Sequence, residues 1–484
     1  MRKTLPLIFE QQDGCNAYTV QPHTRSVDPA GCIPQALLRQ RPPQLPNVSE
    51  PTLVRHYSML AAHQRGVDQV CYPLGSCTMK YNPKIDEAVS ALPGFANAHP
   101  LLEACDAQGC LQAMYCLQQC LCSIFGMDAF TLQPAAGAHG EFTGLLIIRA
   151  AHEAHGQMQR TQILVPDASH GTNPASASMA GFTAVEIASR ADGRVDLDAL
   201  RAAVSDRTAG LMLTNPSTLG LFEADILEIA DIVHGAGGYL YYDGANMNAI
   251  MGVCRPGDMG FDVVHSNLHK TFATPHGGGG PGSGPIGVKE ELRAFLPKPQ
   301  IVQSEDGMYR WDADCPQSIG QVKAFYGNFG VCLKALAYIL SLGGEGIRAA
   351  AQDAVLNANY LMHALKGTYT LPYEAACMHE FVLSAANLPN GVHATDVAKA
   401  LIDAGVHPPT VYFPLIVKEA MMFEPTETET RATLDALIAT MKDIAQRAQT
   451  APETLKAAPH TTPVGRLDEV QAARKPRLVY TYEA

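Results

Sequence analysis

Three short stretches carry side chains that could act on one another if the chain brought them together. FDVVHSNLHK ends on Lys270, YLYYDGANMNA contains Asp243, and PAAGAHGE, residues 134–141, leads small residues into a helix. Lys270 can be a phosphate-binding cation, a covalent catalyst or a solvated charge, and lysine is seldom buried. Asp243 closes a run of Tyr, Leu, Tyr and Tyr that reads as a strand, where an aspartate can also serve a turn or a helix cap. Small residues opening a helix leave backbone N–H groups at its positive end, which suits a phosphate monoester but is also common without one. The glycines after Lys270 do not make a Walker loop, because that loop places its lysine last.

An aldehyde cofactor with a pyridine nitrogen and a phosphate uses all three features together. The lysine forms a Schiff base, the aspartate partners the pyridinium, and the backbone amides hold the phosphate. That combination is pyridoxal phosphate.

The elements that must position these residues follow a regular rhythm from about residue 110. Helix LQAMYCLQQCLCSIFG, the PAAGAHGE turn and helix FTGLLIIRAAHEAHG come first, then strands TQILVP, FTAVEIA, AGLMLT and YLYYD alternate with helices DLDALRAAVS and DILEIADIVHGAG. Short apolar strands between amphipathic helices predict a mostly parallel sheet covered on both faces, with ligands at the carboxyl ends of the strands. Two more loops follow strands: DASHGTNPAS, with His170 and Asn173, and TNPSTLGL, with Asn215 and Thr218. Beyond the glycine-rich stretch, residues 328–367 read as two long helices meeting at Gly343-Gly344, and HEFVLSA starts a strand-and-helix region. The expected organisation is an arm at 1–55, a large domain at 56–324, a small α+β domain at 325–450 and a second arm at 451–484.

Composition narrows the function classes. A formal charge of −12 and a pI near 5.8 argue against nucleic-acid binding. No apolar run approaches the ~18 residues of a membrane span, and the apolar stretch after Met1-Arg2-Lys3 is short for a secretory signal, which favours the cytoplasm. Thirteen cysteines without a secretion signal imply free thiols rather than a disulfide framework. Cys105, Cys110, Cys116, Cys120 and Cys122 cluster without a CxxC pair, so core packing is expected there rather than a metal.

The segments YPLGSCTMKYNPK, PAAGAHGEFTG, SHGTNPASASMAGF, NPSTLGLFE, YYDGANMNAI, HKTFATPHGGGGPGSGP, AFYGNFGV, HEFVLS, HPPTVYFPL and EPTETE resemble those of the glycine decarboxylases, the P-proteins of the glycine cleavage system. The likeness is to the lysine-bearing second subunit of the two-subunit form and runs from about residue 25 to the tail. It implies fold-type I of the pyridoxal phosphate enzymes: a large domain with a mostly parallel seven-stranded sheet and a smaller C-terminal α+β domain. By the same resemblance, Lys270 is the cofactor-linked lysine, Asp243 the pyridine-nitrogen partner, and His170 and Ala245 cover the two ring faces. Ala136, Gly137 and Ala138 match the phosphate turn, with His269 as a further phosphate contact; Asn215 and Thr218 fall where ring-substituent or substrate contacts lie.

The implied reaction removes CO2 from glycine and passes the aminomethyl group to the lipoyl arm of the H-protein. The implied partner is a lysine-lacking first subunit, in a heterotetramer of two dimers. GGGGPGSGP, residues 277–285, could then form a mobile rim for the arriving arm, or a plain flexible loop. Cys71 and Cys77 bracket YPLGS near the implied substrate mouth, as a redox pair or as inert buried thiols. Gln321 and Lys323 stand where the family pattern leads one to expect arginines. The competing readings are another fold-type I decarboxylase or aminotransferase, for which Arg431 is the candidate carboxylate-binding arginine, and a non-catalytic scaffold subunit, which the presence of Lys270 speaks against.

Overall fold

The computed structural model describes residues 4–11, 28–41, 45–276 and 282–481. It divides into two compact units, one of Met1–Gly66 with Ala457–Ala484 and one of Val67–Lys456. The first unit is built on the helix Glu50–Ala62, whose N-terminus is capped by the Ser49 hydroxyl accepting from the Thr52 N–H. Within it the Gln11 side-chain amide meets Nδ1 of the buried His56 at 2.7 Å, and Phe9 stacks on Tyr480.

The second unit holds a seven-stranded sheet: β1 (Ala129–Thr131), β2 (Gln162–Pro166), β3 (Thr183–Ile187), β4 (Thr208–Leu213), β5 (Tyr239–Gly244), β6 (Val263–Ser266) and β7 (Ile286–Val288). Their order across the sheet is β1-β7-β6-β5-β4-β2-β3. Only β7 runs against its neighbours, pairing antiparallel with both β1 and β6. Central strands alternate their side chains between two buried layers. Leu211, Leu213, Leu240, Tyr242 and Val264 join one core with the helices Gln108–Phe125 and Ile226–Gly235. Met212, Tyr241 and Val263 join the other, against Leu145, Ile147 and Ile148 of the helix Gly137–Ala154. The period-two burial is what fixes which strand-end side chains emerge at the site.

A two-stranded hairpin, β8 (Gln300–Gln303) with β9 (Tyr309–Asp312), follows the sheet. The helix Phe329–Leu365 then runs through Gly343, whose φ of 63° and ψ of −177° break the helical path, so two helices meet where the glycines stand. This helix is long and apolar enough to cross a bilayer, but its buried side chains, among them Val331, Cys332, Ala335 and Leu336, pack into the sheet's core. The C-terminal layer is a sheet ordered β10 (Phe381–Ser384), β12 (Ala420–Phe423), β11 (Thr410–Val411), with the helices Ala394–Asp403 and Arg431–Thr450. Cys116, Cys120 and Cys122 pack half-buried against the first core, and these cysteines form no close donor cluster among the described residues.

Candidate active site

The parallel pairing of β5 with β6 sets Asp243 beside His265 and Gly244 beside Ser266. Asp243 therefore leaves the sheet at its carboxyl end, 2% exposed. Its Oδ2 accepts from the Asn173 amide at 2.9 Å and its Oδ1 from the Ala245 N–H at 3.1 Å. His265 Nε2 stands 3.3 Å from Oδ1 without hydrogen-bond geometry, while its Nδ1 meets the Tyr241 hydroxyl at 3.0 Å. Burial pushes the Asp243 carboxyl upward, but His265, the Asn173 and Ala245 hydrogen bonds and Lys270 outweigh it and hold the group below the usual carboxylate range.

Beyond β6 the chain turns through a single helical turn, Leu268–Thr271, which presents Lys270. Its Nζ donates to the Ser76 carbonyl at 2.7 Å. Ala136 is the N-cap of the helix Gly137–Ala154 in extended conformation, with no capping side chain, so the first-turn amides of Gly137 and Ala138 point outward unclaimed by a cap. The helix thus begins inside the stretch expected to precede it. Gly284 approaches so closely that a Cβ there would lie 2.2 Å from the Ala136 carbonyl oxygen. The His269 imidazole is pushed down to about 3, by burial first and then by His276 and Lys270, so it is neutral. Its Nδ1 accepts from the Ser283 N–H at 3.4 Å, leaving Nε2 as the donor.

These residues share one cavity of about 250 Å³. Gly137, Ala138, His170, Thr218, Asp243, Ala245, His269 and Lys270 line it. Asn215 does not: its amide is buried and closes its own loop, accepting from the Glu223 N–H at 2.9 Å, while its neighbours Thr214 and Pro216 face the cavity. Ala136 contributes as the cap behind Gly137. The Gln321 amide donates to the Phe325 carbonyl at 2.9 Å, and neither Gln321 nor Lys323 reaches the cavity. Residues 277–281 of the glycine-rich stretch lie outside the described residues. Cys71 and Cys77 are free thiols with separate partners. Burial and then Glu429 push Cys71 far up, and Cys77 lies 3.8 Å from His276 Nδ1. Arg431 is 83% exposed and pairs with Asp435.

Several residues in and behind the cavity wall were not singled out from the sequence. Glu141 accepts from the Thr172 hydroxyl at 2.8 Å and the Ser176 hydroxyl at 2.9 Å. Burial, then the charge of Asp243, pushes it up to about 7. His379 and Glu380, just before β10, also line the cavity. Signals existed: a glutamate within the apolar FTGLLII helix and a histidine inside the strand VVHS are polar residues at positions whose neighbours are buried.

The residues fit pyridoxal phosphate. Thr214 Oγ1, Asn267 Oδ1 and both ring nitrogens of His379 are buried without partners along the cavity wall, a polar lining that a polar ligand satisfies. An anionic Asp243 faces the same space as the Lys270 amine and the open helix start.

A doubly wound sheet with one reversed strand, a lysine on the turn after β6 and an aspartate ending β5 define the fold-type I class of pyridoxal phosphate enzymes. The family described as the glycine cleavage system P-protein matches residues 28–310, and glycine dehydrogenase, C-terminal domain, matches residues 350–461. The chain is 58% identical over 478 residues to a probable glycine dehydrogenase (decarboxylating) subunit 2 of Caldanaerobacter subterraneus subsp. tengcongensis, covering 98% of each. It is 59% identical over 449 residues to the like-named protein of Halalkalibacterium halodurans, covering 93% of this chain and 92% of that one. A crystal structure of a glycine decarboxylase (P-protein) in inhibitor-bound form shares the fold, with a TM-score of 0.73 at 22% identity over 86% of this chain and 94% of that one. A cysteine desulfurase from Thermococcus onnurineus does so at 0.60 and 15%, over 78% and 95%. The chain belongs to the glycine dehydrogenase (decarboxylating) subunit 2 family.

Proposed function

We propose that this chain is the lysine-bearing subunit that decarboxylates glycine with pyridoxal phosphate and hands the aminomethyl group to the lipoyl disulfide of the H-protein. The observation that carries this is the convergence of Lys270, Asp243 and the open helix start at Gly137 on one cavity. Lys270 is the attachment point, and Asp243 holds a proton on the pyridine nitrogen. The amides of Gly137 and Ala138, with His269 Nε2, would hold the phosphate, and His170 and Ala245 would contact the ring. Bound there, the cofactor supplies an electron sink for the pair left when CO2 departs. Thr218 belongs to the substrate side; its hydroxyl already donates to the Ala168 carbonyl, which fixes the loop that carries it.

The companion is a lysine-lacking first subunit, in a heterotetramer of two dimers. The test is to load the chain with cofactor, reduce with borohydride and map the label, with Lys270→Ala in parallel. Label on Lys270, and release of carbon dioxide from carboxyl-labelled glycine only when companion and lipoylated acceptor are present, is the expected result. Label on another lysine refutes the site; full turnover by the chain alone refutes the need for a companion.

A further inference from the structure

The C-terminal sheet brings a second set of ionisable groups to the cavity. In the antiparallel pair β10 and β12, Phe381 stands opposite Phe423. Glu380, just before one, and Glu424, just after the other, therefore fall side by side. An oxygen from each carboxyl and a ring nitrogen of His379 lie within 4.8 Å of one another. All three side chains are buried: His379 is 1% exposed, Glu380 4% and Glu424 0%. His379 and Glu380 line the cavity, while Glu424 stands behind them.

The hydrogen bonds made to the pair come from neutral groups. Glu380 accepts from the Ser76 N–H at 2.7 Å. Glu424 accepts from the Thr78 hydroxyl at 2.6 Å and from the Asn246 amide at 2.9 and 3.0 Å. The charged and titratable groups that face the pair are Lys270, Cys77, Cys377, His379 and Lys80. His379 Nε2 stands 3.9 Å from Glu380 Oε1, beyond hydrogen-bond reach, and the others make no hydrogen bond to the pair. Lys270 is turned to the Ser76 carbonyl, and Lys80 is committed to Glu427. Burial, then Lys270 and Lys80, drives His379 down to about 3, so it is neutral, and burial keeps the Cys77 thiol above its usual value. Two adjoining buried carboxyls with no bonded cation do not both ionise. Burial raises Glu380 to about 8, with Glu424 as its next cause, and burial raises Glu424 to about 7 against its own hydrogen bonds.

We propose that Glu380, sharing a proton with Glu424, is the acid that protonates the sulfur released when the aminomethyl carbon is transferred to the acceptor disulfide. This rests on the reading above. Departure of carbon dioxide leaves an electron pair on the glycine α-carbon. That pair forms the new C–S bond as the S–S bond breaks, so the disulfide is the two-electron acceptor and its second sulfur leaves as a thiolate. The thiolate takes one proton. Glycine's ammonium loses one on becoming the product amine, so the conversion draws none from bulk water. The carboxyl pair stores that proton between the two events. Glu380 meets the cavity, and Glu424 acts through it as the positioning partner.

The test has two readouts. In the full chain without cofactor, infrared difference spectra through a pH titration should show a carboxylic-acid band persisting to neutral pH. Glu141 contributes its own component, so the diagnostic part is the component removed by Glu380→Gln and by Glu424→Gln. In the holoenzyme with its companion, Glu380→Gln should slow transfer to a lipoyl disulfide about 100-fold. A pyridyl disulfide, whose acidic leaving thiol needs no proton donor, should restore the rate to within a few-fold. An unchanged infrared component, or an equal loss with both acceptors, overturns the assignment. So does stoichiometric binding of zinc or manganese by the wild-type chain that either variant abolishes, since the cluster is then a cation site. If Glu380→Gln does not fold, Glu424→Gln carries the infrared test. If the wild-type holoenzyme releases no carbon dioxide from glycine, the functional reading falls while the infrared component survives; the converse pattern removes only the acid pair.

Discussion

Lys80 is 2% exposed and holds the segment that delivers Ser76 and Thr78 to the site. Its Nζ donates to Asn248 Oδ1 and Glu427 Oε1 at 2.7 Å each and to the Tyr338 hydroxyl at 3.2 Å. Lys80→Met keeps the apolar stem as far as Cε but removes the cation paired with Glu427, whose side chain is 9% exposed. The Asn248 and Tyr338 groups that remain on Glu427 are neutral. Removing one partner of a buried ion pair costs about 3–5 kcal/mol, because the other charge stays behind desolvated. At roughly 2.1 cal/mol/K of unfolding entropy per residue, a unit the size of Val67–Lys456 should lose about 4–6 °C in Tm. Lys80→Met/Glu427→Gln should recover much of that loss, a non-additivity that a double-mutant cycle reads directly. The pH dependence has a definite sign. Burial lowers the Lys80 pKa, but Glu427 and Tyr338 overcome it and leave it raised, so the contribution of the Lys80 charge is present through neutral pH and is lost as pH rises into strong alkali. Thermal and urea unfolding of the cofactor-free chain is the assay. A Lys80→Met loss under about 1 kcal/mol, or additive single effects, would refute the argument that this pair anchors the segment.

Gly137→Ala should damage cofactor binding more than folding. A Cβ there would sit 2.5–2.9 Å from the side-chain atoms of Asn267, on the cavity wall. Overpacking of about 1–3 kcal/mol corresponds to cofactor binding weakened roughly 5- to 150-fold, measurable by equilibrium dialysis, and an unchanged affinity defeats the placement of the phosphate at this turn. Glu141→Gln should change the pH dependence of stability. The wild-type carboxyl holds its proton in the fold up to about 7, against an ordinary value of 4.5, so the folded state binds more protons in that window and stability declines as pH rises through it. The variant's Tm should be flatter between those pH values; an identical slope means that Glu141 is ionised in the fold.

What could be read from the sequence was whatever local pattern reports. Asp243 stands at the end of an apolar strand, and burial of that run brings its last polar residue out at the sheet's edge, while Lys270 follows β6 on the turn Leu268–Thr271. The reversed strand β7 and its partner β1 have three residues each, too few for an alternation to register. Asn215 shows how a correct loop can mislead about a side chain: a strand-end amide can face a ligand or close its own turn, and here the Glu223 N–H claims it. Glu380 and Glu424 escaped notice because their partners are remote, Ser76 lying 304 residues from Glu380 and Thr78 lying 346 from Glu424. Only the packing of the C-terminal sheet against the loop at 71–80 reveals why two acids stand there.

The electrostatics of the assembled cavity bear on which bond the site favours breaking. Burial drives His170, His269 and His379 toward their neutral forms and Glu141 and Glu380 toward theirs, so Asp243 is the lining carboxyl that keeps its charge. No arginine lines the cavity among the described residues, and Arg431 stands in solvent. A transaminating site holds its substrate's carboxylate with a cation and must keep it there through the reaction. Here Lys270 is the basic side chain on the wall, and its amine is claimed by the cofactor in the proposed reaction. A glycine carboxylate then meets neutral amides, hydroxyls and protonated acids. In a site that solvates a carboxylate poorly, its conversion to neutral carbon dioxide removes an unpaired buried charge, and the same walls that destabilise the substrate anion leave the product unhindered.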